Sequence, residues 1–390
     1  MPASQLQAVL GAELGPGWRA RLASFDETPV AAASIGQVHC ATLPDGTVVA
    51  MKVQYPGVAD SIVSDVDNLL RLVSITGVLP RGAFVEAAAA VAKKELAAEC
   101  DYLAEADAAE RYASLLAADD GGLGEAVASP AVVRSLTSRR VLTTTWVGGV
   151  PIDALAGGRD GGDPPPAPQA VRDAAGTALL RLTLRELFEW RFMQTDPNWG
   201  NFLYDDRGAG LLTAIDFGAC REFPPSFVNP YREMVVACAT GDAPTVLARS
   251  TELGFLTGDE APVMVEAHLA AAMAVGRPFG GDGGPGRGGL YDFSTSGGAS
   301  HALTADVRAA GTTMLSHRLV PPPEEAYSLH RRLSGAFLAC IKLGARVPAR
   351  ELLAQQLERI GEKKAAASVR ATGGEEKKKR VVRKKVVVGM

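Results

Sequence analysis

Gln194-Thr195-Asp196-Pro197-Asn198-Trp199-Gly200-Asn201-Phe202 sets an acid and an amide five positions apart, and Ile215-Asp216-Phe217-Gly218 follows with its aspartate fifteen residues beyond Asn201. The first aspartate can accept a proton or orient a nucleophile. The asparagine and the second aspartate are hard oxygen ligands suited to Mg²⁺, which spans phosphates and neutralises charge as a phosphoryl group leaves. The flanks agree with this reading. A helix is predicted over Gln169 to Trp190, delivering the chain to Asp196, and Leu211 to Ile215 is a short apolar strand ending at Asp216. Pro197 fixes φ next to Asp196 and stiffens the loop. Taken singly, the pieces also read as a turn, a cap and a chance tripeptide; their order and flanks make the combination specific.

Working upstream, Val38 to Leu43 and Val48 to Val53 read as two strands around the turn Pro44-Asp45-Gly46. Lys52 emerges among apolar neighbours in Val49-Ala50-Met51-Lys52-Val53, which suits a lysine reaching the α- and β-phosphates of ATP from a rigid strand. Alone it would pass for a solvated surface charge. Given the loop 144 residues later, the phosphate-positioning role is the better reading. Such a lysine needs a carboxylate to orient it. Glu99 is the expected partner, on a long Ala-rich helix predicted from Phe84 to Leu116, with Glu95 one turn away as the alternative. In place of a Gly-rich phosphate loop stands Ala31-Ala32-Ala33-Ser34, where methyl groups restrict positive φ and crowd the approach to phosphate. As a bare sequence it also reads as helix-favouring filler. Val141 to Val147 is a β-branched run ending at Gly148-Gly149, a strand leading into an inter-lobe hinge.

The bulk properties fit an enzyme of this size. The 390 residues are 47% hydrophobic and 22% charged, ordinary for a globular chain with a sizeable core. The formal charge of −4 is unevenly spread: residues 361–390 carry ten Lys/Arg against three Glu, leaving −11 on the remainder. That balance argues against nucleic acid as a partner, because phosphate backbones need a basic face. The five cysteines and five histidines are scattered without metal or disulfide spacing. No apolar run approaches a membrane span, and the start has the look of neither a signal nor a transit peptide.

Elsewhere, residues 5–25 read as a helix, a Gly-Pro-Gly break at 15–17 and a second short helix. The pattern becomes helical from about Asp60. Residues 157–168 read as an exposed loop, and the chain after Phe223 as mainly helical with a Gly-rich interruption at 280–298. The expected division is residues 1–147 as an N-lobe, 148–360 as a C-lobe with the catalytic and metal-binding loops, and 361–390 as a basic, disordered tail.

AAASIGQVH, VAMKVQYPGV, ELAAECDY, FMQTDPNWGNF, DFGA and RLVPPPEEAYSLHRRLSG together resemble the UbiB family of atypical kinases (aarF-domain proteins), and within it the mitochondrial coenzyme-Q-biosynthesis branch. The resemblance spans residues 5 to about 350. It implies an α+β, two-lobed protein-kinase-like fold: a small β-containing N-lobe with added helices, and a mainly helical C-lobe. It also implies ATP with Mg²⁺, quinone-biosynthesis proteins as partners, and peripheral contact with lipid at the matrix face of the inner mitochondrial membrane. Matched motif by motif, Ala31, Ala32, Ala33 and Ser34 are the Ala-rich loop and Lys52 the nucleotide lysine. Glu99 and Asp101 fall on the Glu-x-Asp motif. Thr144, Thr145, Trp146 and Val147 form the hinge that meets adenine, Asp196 is the catalytic aspartate, and Asn201 and Asp216 are the metal ligands.

The family's Lys-x-Gly-Gln helix belongs upstream of residue 1 and is not in this sequence, which implies either a shortened chain or a more open site. The 157–168 loop lengthens a family connector, and the basic tail has no family counterpart. Three functions remain in view: an ATPase or phosphotransferase supporting ubiquinone synthesis, a nucleotide-sensing scaffold, and a small-molecule or lipid kinase.

Overall fold

The computed structural model describes residues 1–58, 61, 64, 66, 68, 84–158, 164–205, 210–280, 289–294 and 299–371. Most of the helical pattern expected from Asp60, the middle of the 157–168 loop, most of the 280–298 interruption and residues 372–390 lie outside the described residues. Packing divides the chain into two units.

The first unit, residues 1–79, 85–151 and 194–221, is built on a five-stranded antiparallel sheet. Strands β1 (Ser24–Phe25), β2 (Ala31–Ala33), β3 (Gly36–Thr42), β4 (Val48–Gln54) and β6 (Val141–Thr145) make it up, β3 and β4 being the hairpin read from the sequence. Alternation along β4 sorts its side chains onto two faces. Val49, Met51 and Val53 point one way and form a buried core with Ala41, Val141 and helix α1 (Ala3–Leu14), which contributes Leu6, Val9 and Leu10. Lys52 points the other way, beside Val38 on β3 and Leu142 on β6. Gly36 permits the tight entry to β3: a Cβ there would stand 2.4 Å from the Val53 carbonyl oxygen.

Ala31–Ala33 is strand, not helical filler. It pairs antiparallel with Val38–Gly36 and reaches β3 through Ser34 and Ile35. The Ala-rich loop is thus the tip of a β-hairpin whose edge strand carries the methyl groups.

The long helix expected from Phe84 to Leu116 is two helices, α2 (Val85–Glu99) and α3 (Tyr102–Ala117). The last turn of α2 tightens, with Cys100 N–H on Ala97 O and Asp101 N–H on Ala98 O. Asp101 then turns extended, and its carboxylate accepts from the amides of Leu103 and Ala104, an N-cap that restarts the helix. Gln54 Nε2 donates to Cys100 O at 2.9 Å, and the Tyr102 amide donates to Arg139 O at 3.1 Å, tying the break to the sheet.

A second, four-stranded sheet in this unit holds β5 (Val127–Ala128), β7 (Val150–Pro151), β9 (Phe202–Asp205) and β10 (Leu211–Ala214), in the order β5-β10-β9-β7. Because β10 pairs parallel with β5, residues 194–221 pack with the N-terminal unit. A boundary at residue 147, with both functional loops beyond it, does not follow the packing.

The second unit, residues 80–84, 152–193 and 222–390, is mainly helical where described, with a short antiparallel pair, Tyr291–Asp292 against Arg346–Val347. Helix α4 (Gln169–Arg185) packs against α5 (Glu324–Leu343) and α6 (Ala349–Arg359). It ends in a wide turn over Glu186–Trp190, shorter as a regular helix than expected. Glu186 in that turn is buried and ion-paired to buried Arg332 at 3.2 Å. Residues 363–371 are helical too, with Ala366 and Val369 fully buried, so the segment expected as a disordered tail begins with packed helix. No described helix is long and apolar enough to cross a membrane.

Candidate active site

Lys52, Glu99, Asp196, Asn201 and Asp216, the residues singled out from the sequence, all fall in the first unit. Lys52 donates to Glu105 Oε1 and Oε2, both at 3.0 Å, and to Asp216 Oδ2 at 2.9 Å. An ammonium has three N–H groups, and three oxygens receive them. The carboxylate clasping Lys52 is therefore Glu105, which corrects the expectation of Glu99. The reason is the helix break: Glu99 ends α2, whereas Glu105 lies in the first turn of α3, beyond the Asp101 cap. A signal was present in the sequence. Tyr102, Glu105, Ala106, Ala109 and Tyr112 recur at helical spacing and are all buried, so an acid sits inside an otherwise apolar stripe.

Glu105 also accepts from the Phe217 amide at 3.4 Å, and Phe217 packs its ring against Tyr112 with centroids 4.8 Å apart. Helix α3 thus grips both the lysine and the Asp-Phe-Gly segment. Asp216 Oδ1 accepts from the Gly218 amide at 3.1 Å.

The Asp196–Asn201 loop is closed by its own polar groups. Asp196 Oδ2 accepts from Asn201 Nδ2 at 2.6 Å, and Asp196 Oδ1 from the Asn198 amide at 3.2 Å. Asn198 Oδ1 in turn takes the Gly200 amide at 3.0 Å. Both the amide and the hydroxyl of Thr195 donate to Ala219 O, pinning the loop to the segment after Asp-Phe-Gly. Asn201 precedes β9 and Asp216 follows β10. The Ile215 amide donates to Asn201 O at 3.0 Å, so the two residues share one end of that hairpin. The predicted Asp196, Asn201, Asp216 and Lys52 are linked contact by contact, with Glu105 and Tyr102 as members the sequence reading missed.

The electrostatics follow from counting charges. Two carboxylates face one ammonium in a cluster where Lys52 is only 17% exposed. Burial works against the Lys52 charge, but Glu105 and Asp216 outweigh it and hold the ammonium well above its usual range. Asp216 is also opposed by burial, yet the Lys52 charge and the Gly218 amide keep its carboxyl below the usual range. Glu105 carries the conflict: burial, with Asp216 nearby, pushes it up to about 7 against the pull of Lys52.

Donor chemistry fits a small hard cation at Asn201 and Asp216. Asn201 uses its amide N–H on Asp196, which turns its carbonyl oxygen to act as an acceptor, and Asp216 adds a carboxylate. Among the described residues no three His, Cys, Asp or Glu side chains gather as an all-protein metal cluster. The expected hinge lies largely within the sheet. Thr144 pairs with Ala50, the Thr145 amide donates to Ala131 O, and the Trp146 amide donates to Val48 O.

Comparison with known proteins gives the family of the chain. Residues 1–250 match the ABC1 atypical kinase-like domain. The chain is 45% identical over 359 residues to atypical kinase COQ8B, mitochondrial, of Rattus norvegicus, covering 92% of this chain and 63% of that protein. Against the Danio rerio protein of the same name it is 44% identical over 352 residues, 90% of this chain and 52% of the relative. Atypical kinase COQ8, mitochondrial, of Saccharomyces cerevisiae is 39% identical over 347 residues, 89% and 64% of the respective chains. The chain therefore spans from about half to just under two thirds of these relatives' own length. Among solved structures, a Mycobacterium tuberculosis protein in complex with erythromycin superposes with a TM-score of 0.64 at 25% identity, covering 90% of this chain and 82% of that one. With the lysine–glutamate clasp, the Asp-Asn loop and the domain match in agreement, the chain belongs to the ABC1 (UbiB) family of atypical kinases.

Proposed function

We propose that this chain binds Mg-ATP and either hydrolyses it or passes on its terminal phosphoryl group, in support of coenzyme Q biosynthesis. The observation that carries the reading is the Lys52 ammonium held between Glu105 and Asp216. A charge fixed in this way contributes positioning and electrostatic stabilisation, which are what phosphoryl transfer asks of a protein. In this reading Lys52 turns its N–H groups to the α- and β-phosphates, and Asn201 and Asp216 hold Mg²⁺. The ion, when bound, neutralises charge that builds up on the phosphate oxygens. Asp196, aimed by Asn201 and Asn198, orients the attacking oxygen and accepts its proton.

Ala31 to Ser34 close over the phosphates as a stiff hairpin, and adenine meets the segment from Thr144 to Val147. Since the amides of Thr145 and Trp146 are engaged in the sheet, the base takes its backbone donor from Val147 or beyond. The cellular setting comes from the sequence resemblance and from relatives named mitochondrial. It is work with quinone-biosynthesis proteins at the matrix face of the inner mitochondrial membrane, with peripheral lipid contact.

The test is thermal unfolding with ATP, with and without Mg²⁺, alongside phosphate release and label transfer from γ-labelled ATP. A ligand that binds only the folded chain raises its melting temperature. The expected result is a metal-dependent rise that Asp216→Asn loses. Equal rises in the two proteins would remove Asp216 from the metal site, and neither release nor transfer of phosphate would end the enzymatic reading.

A further inference from the structure

Tyr102 is fully buried on α3, pinned by Ile35, Cys100, Ala106 and Leu142, and the Lys52 ammonium stands 5.0 Å from the centre of its ring. We propose that Tyr102 is a positioning residue for Lys52, its ring face confining the ammonium while taking none of its N–H groups. This rests on the nucleotide reading above for its functional consequence, though not for its geometry.

Donor supply at the Lys52 ammonium is limited. All three N–H groups of Lys52 are engaged by Glu105 and Asp216. An arriving phosphate must take at least one, and the contact it displaces no longer fixes the ammonium. A carboxylate holds a cation by consuming donors. An aromatic face holds it through the quadrupole of the ring and leaves the donors free. Among the described residues, Tyr102 is the group around Lys52 with that property, and it is rigid. Its amide is fixed on Arg139 O, the preceding Asp101 caps the helix, and Gln54 anchors the chain just before it. The Tyr102 hydroxyl is buried and meets no hydrogen-bond partner among the described residues. The ring is therefore the part that interacts, and phenylalanine should replace it without loss.

The experiment compares the parent with Tyr102→Phe, Tyr102→Leu and a series carrying phenylalanines of increasing ring fluorination at position 102. Fluorination drains the negative ring face at nearly constant shape, so the series remains readable where the leucine variant fails to fold. Two readouts are taken on variants of unchanged melting temperature. One is the dissociation constant for Mg-ATP. The other, independent of nucleotide, is the rate of Lys52 acylation by a small activated ester at fixed pH, mapped by mass spectrometry. Phenylalanine should match the parent in both. Leucine should weaken binding by about tenfold and speed acylation several-fold, with the fluorinated series stepping between them. Folded leucine or fully fluorinated variants with parental acylation rates would overturn the proposal, since a merely structural ring has no reason to sense fluorine. Should the parent bind no nucleotide, the functional reading fails, while the acylation rates still judge Tyr102.

Discussion

Lys52 Nζ lies 3.0 Å from each carboxylate oxygen of Glu105, a symmetric clasp between a β-strand and the first turn of a helix. The clasp is built against the preferences of Glu105 itself, which burial drives towards its neutral form. Function and stability should therefore part company there. Glu105→Gln keeps the shape and Lys52 keeps Asp216, so the change in unfolding free energy at neutral pH should be within about 1 kcal/mol. Affinity for Mg-ATP should fall about tenfold or more as the lysine loses its charged guide. Calorimetric titration beside urea denaturation checks both. A variant that loses several kcal/mol of stability yet binds ATP normally would reverse the reading.

The same carboxyl predicts a pH dependence with a definite sign. Its folded-state pKa is raised from 4.5 to about 7, so between those values the folded chain holds a proton that the unfolded chain has released. Stability contributed by Glu105 is thus present below pH 4.5, declines as pH rises to about 7, and is flat above. Denaturation of the parent and of Glu105→Gln at pH 5 and pH 8 should show the parent losing ground to the variant at the higher pH. The opposite slope would mean that the ion pair, not burial, governs Glu105.

Asp196 makes a prediction about chemistry rather than binding. It is held by Asn201 and by the Asn198 amide, and Asn at 196 preserves size while removing the charge that accepts a proton. Turnover of ATP should fall by roughly 10²- to 10⁴-fold with nucleotide affinity within a few-fold of the parent. Phosphate release under saturating Mg-ATP measures it. A variant with full turnover would take Asp196 out of the reaction.

Where the sequence was legible, local chain geometry set the spacing. The hairpin from β9 to β10 places Asn201 and Asp216 at one end whatever surrounds it, and strand alternation alone puts Lys52 opposite Met51 and Val53. Glu105 was not legible by the same means. Ala-rich α2 and α3 read as one continuous helix because only two weak helix formers, Cys100 and Asp101, stand between them, and the capping carboxylate of Asp101 decides the break. The Ala-rich loop failed for the converse reason. Alanine favours helix, but pairing with Gly36–Val38 outweighs propensity over three residues. The place of residues 194–221 in the first unit depends on the parallel pairing of β10 with β5, a long-range contact with no signature in either strand.

Gly36 tests the construction of the Ala-rich hairpin. A methyl group there would meet Val53 O at 2.4 Å and the Val53 carbonyl carbon at 3.0 Å, both backbone atoms in the middle of the sheet. Relief requires β3 and β4 to separate at Lys52's end. Gly36→Ala should cost about 2–4 kcal/mol in urea denaturation, whereas Gly46→Ala in the exposed turn meets no neighbour and pays only for its positive φ of 88°. Equal costs at the two sites would show that crowding against Val53 is not the constraint on Gly36.

The helix at residues 363–371 separates two kinds of contact in one place. Arg370 bonds both oxygens of Glu351, at 2.9 and 2.6 Å, and pairs with Glu358, but these side chains are more than a third exposed. Val369, its neighbour, is completely buried. Water already solvates the exposed ions, so Arg370→Ala should cost under about 1 kcal/mol. Val369→Asp would bury an unpaired carboxylate and should cost more than about 3 kcal/mol, lifted in part at acid pH where the acid is neutral. Melting curves of the two variants rank them directly. If the arginine variant proves the more damaging, the terminal helix is held by its charges, and the buried face of Ala366 and Val369 is incidental to the fold.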